Sequence, residues 1–177
     1  TDTLQLIVVV GAVVASMVLL LKAIPLPVGE IVEVLHADGK TTLLDASMDS
    51  TKPNTLIAVF GLTLFYGAAF GADQDMAQRL LTCKTLKQSI GSLLGAILVA
   101  LPITVLFMAT GLLLYIFYSR PDLMGDAAPA QAVEDAREVY PQYLLTELPV
   151  GVRGLALAGL FSAAMSSLDS AITAMTG

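Results

Sequence analysis

The chain is poor in the residues that most soluble enzymes use for chemistry. It has one cysteine, Cys83, and one histidine, His36, in 177 residues. A single cysteine excludes an intrachain disulfide and a cysteine-rich metal site. His36 lies in a polar stretch that groups no ligands around it, so it reads as a solvated loop residue rather than a metal ligand. No glycine-rich run has P-loop spacing, and neither HExxH nor CxxC occurs. Asp73, Asp75 and the glutamates form no convincing carboxylate pair, and no histidine stands beside a nucleophile. The reading is of a protein that is not an enzyme. Charge is scarce as well, at 14% of residues against 56% hydrophobic, with a mean hydropathy of +0.80. This excludes a disordered chain and argues against an ordinary soluble domain. The net charge of −6 gathers in two polar segments, so it describes loops and points to no nucleic-acid partner.

What the chain has in quantity is long apolar runs. Leu4 to Leu21 is almost unbroken Leu, Ile, Val, Ala and Met, long enough to cross a bilayer. Thr1 and Asp2 fit an N-cap at its start, and Pro25 and Pro27 end it. Further runs predict spans at about 55–72, 90–118 and 150–175, making four transmembrane helices with the first at about 3–24. The second holds Gly67-xxx-Gly71, which permits close helix contact or weakens the helix beside a binding site. The third contains Pro102, which predicts a kink. Residues 26–54 read as a polar connector, and 119–148 as polar with a short surface helix leading into the fourth span.

Basic residues set the orientation. Residues 79–89 carry Arg79, Lys84 and Lys87 with no acid, whereas both longer connectors are acid-rich. Positive-inside logic places 79–89 in the cytoplasm and the loops 25–54 and 119–149 outside. The chain opens without Met, ends within an apolar run and shows no signal peptide, so 1–177 reads as a fragment of a single transmembrane domain.

The last run is unusual among the four. Ser162, Ser166, Ser170 and Thr173 fall on one helical stripe, with Asp169 on its edge. An acid within a lipid-spanning helix is a functional hypothesis by default. A sodium ion wants oxygen ligands. Ser166 and Ser167 straddle one edge of the helix, and the carbonyl of Ala163 lies one turn back on that edge. Two hydroxyls and a carbonyl make an incomplete cage, to be finished by another helix. Small residues that let helices approach, with serines bonded to their own i−4 carbonyls, are the alternative. Packing needs no acid, and Asp169 tips the balance toward a site.

Several stretches together resemble the sodium/solute symporter family. They are Thr1-Asp-Thr-Leu-Gln5, Asp73-Gln74 with Gln78-Arg79, Leu148 to Gly159, and Ala164-Met-Ser-Ser-Leu-Asp-Ser170, in order across the whole chain. The resemblance implies an all-α membrane protein of LeuT-type inverted-repeat fold, represented in part by its fifth to eighth core helices. It implies a carrier that couples sodium to a small organic solute by alternating access in the plasma (bacterial inner) membrane. Ser166 and Ser167 match hydroxyl ligands of the principal sodium site and Ala163 a carbonyl ligand. Asp2 matches an acid of a second sodium site or exit route, which elsewhere uses hydroxyls at the positions of Asp169 and Ser170. With Asp169 here, an acidic exit path is the alternative. Tyr66 and Ala100 stand where sugar carriers tend to place an amide and a basic residue, which speaks against a hexose. Phe65, Tyr66 and Phe70 are candidates for lining the solute cavity. Two other readings stay open: a transporter-like sensory module of a signalling kinase, and a proton-coupled carrier using Asp169.

Overall fold

The apolar runs that are too long for strands become helices. In a computed structural model, residues 2–42, 55, 58–72, 80–125, 128–129, 133 and 135–176 are described, except for the side chains of residues 2, 70, 72, 170, 171, 173, 174 and 176. The described residues form helices, turns and short connections, with no strand among them. The elements are α1 (Asp2–Ala23), α2 (Val28–Ala37), a π-helical turn (Ala58–Leu62) running into α3 (Thr63–Ala72), α4 (Leu86–Ser119), α5 (Pro121–Met124), α6 (Val139–Thr146) and α7 (Val150–Thr176). Among the described residues, three stretches are long and apolar enough to cross a membrane: Thr3–Ala23, Leu86–Ser119 and Val150–Asp169. The apolar stretch Ala58–Ala69 is shorter than a full span among the described residues.

Local chemistry sets the helix ends. Thr85 caps α4, its hydroxyl accepting from the backbone N–H of Gln88 at 3.3 Å. The Gln88 side chain reaches back to the N–H of Lys84 at 3.1 Å, so two donors at the helix start are satisfied reciprocally. The helix therefore starts four residues before the expected span at Ile90, and it runs on through Pro102 to Ser119. α2 ends in a Schellman turn. The N–H of Lys40 bonds to the carbonyl of Leu35 at 2.8 Å, and that of Gly39 to His36 at 3.0 Å. Gly39 sits at φ +69°, the left-handed conformation that this closure needs and that glycine adopts most easily.

The connector 26–54, expected as polar loop, thus contains a helix. α2 buries Ile31 and Leu35, one turn apart, and leaves its glutamates exposed. The second connector also differs from expectation. Its short helix spans Val139–Thr146 and buries Tyr143 and Leu144, so it packs into the bundle instead of lying on a surface.

The core gathers at one end of the bundle. Leu20 and Ile24 of α1, Ile31 and Leu35 of α2, Ile116 and Phe117 of α4, and Tyr143, Leu148 and Ala156 close on one another. The Phe117 and Tyr143 rings meet edge to face, with centroids 5.9 Å apart. Tyr143 also donates to the carbonyl of Ser16 at 3.4 Å, while the buried Ser16 hydroxyl donates to Ala12 at 2.8 Å. Beyond α4, Arg120 holds both oxygens of Asp38 at 2.8 and 2.6 Å and also bonds Asp122. Tyr115 donates to the same Asp38 at 3.3 Å, and Lys40 lies 4.6 Å over the Tyr115 ring. These contacts fasten the end of α2 to the end of α4. Arg153 at the start of α7 donates to the carbonyls of Leu148 and Thr146, placing a cation on the C-terminal end of α6.

Candidate functional site

The serine stretch lies in the second half of α7, and α1 is the helix that α7 packs on most extensively. The two run antiparallel. Leu20 and Ile24 near the end of α1 share the core with Leu148 and Ala156 at the start of α7, and further along α7 Ala163 lines a cavity of about 160 Å3 with Val9. Between these, Gly159 lies against Val8 and Val9. Ser166 is seven residues beyond Gly159, and Asp2 is six before Val8. At 1.5 Å per residue both travel about 9–11 Å in the same direction, so the first turn of α1 lies level with Ser166 to within about a turn. The antiparallel register brings the Asp2 and Ser166–Ser170 backbones to one end of the bundle.

Within α7, the Ser167 hydroxyl donates to the carbonyl of Ala163 at 3.0 Å. This is the bond a serine in a membrane helix ordinarily makes, and it draws together two oxygens expected to hold an ion. Oxygens 3.0 Å apart can share a hard cation at about 2.3–2.6 Å from each, the range known for calcium, which has nearly the size of sodium. The hydroxyl has lone pairs to offer once its proton rotates off the carbonyl. Ser166 is half-buried beside this pair, and Ser167 is exposed. The three candidate oxygens come from one helix, so a cation held by them would need another element on its opposite side.

The remaining candidates fall into two groups. Asp169 is exposed on α7. Asp2 and Ser170 have helical backbones, but their side chains lie outside the described residues, as does that of Phe70. On α3, Phe65 and Tyr66 are exposed and meet edge to face at 5.6 Å. They stand outside the packed core, and α3 is in contact chiefly with the π-helical turn before it. Among the described residues, no atom outside the local helix backbone lies within 4 Å of where a Cβ would stand at Gly67 or Gly71. Asp73 to Arg79 lies outside the described residues. Sequence reasoning passed over Gly159, although Ala156, Gly159 and Ala163 repeat at helical spacing. It also passed over Tyr140 and Leu144, which close the cavity that Ala163 faces.

A family model described as the sodium:solute symporter family matches residues 1–176. The sodium/sialic acid symporter SiaT of Proteus mirabilis is 31% identical over 130 residues, covering 72% of this chain and 24% of its own length. Human sodium/glucose cotransporter 4 is 35% identical over 120 residues, covering 63% of this chain and 17% of its own. The sodium/glucose cotransporter of Vibrio parahaemolyticus is 31% identical over 123 residues, covering 67% and 22% respectively. These relatives are transporters, not enzymes, and the chain spans about a quarter or less of each. No solved structure gives a significant match.

Proposed function

The chain belongs to the sodium:solute symporter family, and on that premise we propose that it forms part of a sodium-coupled carrier for a small organic solute. The carrier works by alternating access on a LeuT-type frame, to which this segment gives the fifth to eighth core helices. Its four spans lie at about 3–24, 55–72, 90–118 and 150–175, with 79–89 in the cytoplasm and 25–54 and 119–149 outside. It resides in the plasma (bacterial inner) membrane. The Ala163 carbonyl and the Ser166 and Ser167 hydroxyls are the ligands this segment gives to the coupling sodium. Asp2, Asp169 and Ser170 form a second sodium site or its exit path toward the cytoplasm. Phe65, Tyr66 and Phe70 line the solute cavity.

The observation that carries this reading is the pair of oxygens 3.0 Å apart at Ser167 and Ala163, within a family match that spans the chain. A cage built from more than one helix closes at only one helix spacing. An ion that binds the closed cage better than the open one shifts the population toward it, which is how sodium drives the conformational cycle.

The test is uptake into vesicles holding the full-length protein, with sodium gradients imposed. Labelled sialic acid and glucose, for which relatives are named, belong in the panel of solutes. Ser166→Ala combined with Ser167→Ala is expected to abolish sodium-driven uptake. Uptake that survives the double substitution unchanged contradicts the assignment.

A further inference from the structure

We propose that Gly159 is a positioning residue for the sodium site: it fixes the distance between α7 and α1, and through it the fit of the cage. The proposal rests on the reading of Ala163, Ser166 and Ser167 as sodium ligands. Gly159 is buried, and a Cβ on it would stand 3.0 Å from Val8 Cγ1, 3.3 Å from Val9 Cγ2 and 3.7 Å from the Val9 backbone nitrogen. Carbon atoms prefer about 3.5–4.0 Å, so a single methyl at 159 must push its neighbours away by about half an ångström. Val8 and Val9 are β-branched, and valine has one strongly preferred side-chain conformation in a helix. The displacement therefore passes to the helix backbones.

Among the described glycines built with a Cβ, only Gly159 meets an atom of another helix within 4 Å. The same interface lines a cavity through Val9, Ala12, Val13, Ala156 and Ala163. Ala12 and Ala156 are buried where the two helices pack, and at Gly159 the approach is close enough that an added methyl would force them apart. Ala163 comes one turn after Gly159, and Ser166 and Ser167 follow a turn later, so movement here is carried directly to the ligands. Metal sites work within a few tenths of an ångström of their best distances. A shift of the size a methyl imposes is enough to loosen the ion without touching any ligand.

The experiment measures the half-saturating sodium concentration for transport by full-length protein in vesicles, together with the solute KM at saturating sodium. Gly159→Ala is expected to raise the sodium value about tenfold, the low end of what lost outer-shell support costs a metal site. The solute KM at saturating sodium is expected to change much less. Val8→Ala added to Gly159→Ala removes the Cγ1 that the new methyl meets most closely and leaves the 3.3 Å contact with Val9 Cγ2, so it is expected to recover part of the sodium affinity. Val8→Ile presses on the same point from the other helix and is expected to raise the sodium value in its own right, so the proposal stands testable if Gly159→Ala fails to fold. An unchanged sodium value in Gly159→Ala, a raised value that Val8→Ala does not lower at all, or an unchanged value in Val8→Ile overturns it. Ser166→Ala plus Ser167→Ala runs in parallel. Normal sodium dependence there overturns the site itself, and its loss with an indifferent Gly159→Ala overturns only the positioning role.

Discussion

The two ends of the bundle are built differently. At one end, the later halves of α1 and α4 meet α2, α6 and the start of α7, and the apolar side chains close on one another. At the other, α4 exposes Leu94, Ile97, Leu98, Leu101 and Val105, and α7 exposes Phe161, Met165, Leu168 and Ile172. A helix that is apolar on every side needs lipid or further protein around it. The closed end also carries the polar fastenings, from Arg120 and Asp38 to Tyr143 and Ser16. Every sodium-ligand candidate lies toward the open end. The difference teaches where the segment is self-sufficient: it completes its own packing at one end and leaves apolar helix faces uncovered beside the proposed sodium ligands at the other.

Separate perturbations at the two ends sharpen that contrast. The largest loss of stability is expected from Ile116→Ala at the closed end. Ile116 is fully buried, and truncating such a side chain costs about 2–5 kcal/mol. Thermal unfolding of the full-length protein in detergent checks this, and a response to sodium should persist in the variant. Gly39→Ala is expected to cost about 1–2 kcal/mol, because the α2 closure holds a left-handed backbone that a Cβ resists. Hydrogen exchange over residues 28–37 should rise with it. The smallest effect is a pH dependence. Burial pushes the Tyr143 hydroxyl above the usual tyrosine value of 10.0. The folded protein keeps a proton that the unfolded chain gives up, so this contribution is full below about pH 10 and is lost as pH rises further. Tyr143→Phe should flatten that alkaline loss.

Much of the architecture was legible in the sequence, and the reasons are physical. Runs such as Leu4 to Leu21 exceed any ordinary strand, so helix was the one regular structure open to them. Ser167 and Ala163 are four residues apart, a spacing that a helix converts into a contact. α2 was hidden by its charges, although Ile31 and Leu35 already carry the helical spacing. The place of α6 was obscured because Tyr143 and Leu144 join a core with Leu20, Ile116 and Phe117, of which Leu20 in particular is far away in the chain. Gly159 was illegible for the same reason. A glycine announces room for a neighbour, and only the fold says that the neighbour is Val8. The second span was expected at 55–72, where the described residues hold a π-helical turn and a helix of ten residues.

The most direct measurement is thermal unfolding of the full-length protein in detergent, in sodium against potassium at matched ionic strength. An ion that binds only the native state raises stability by mass action. A higher Tm in sodium, abolished by Ser166→Ala with Ser167→Ala and kept in Ile116→Ala, is the predicted result. Equal Tm values in the two salts, or a sodium effect that ignores the serines, contradict a sodium site on α7.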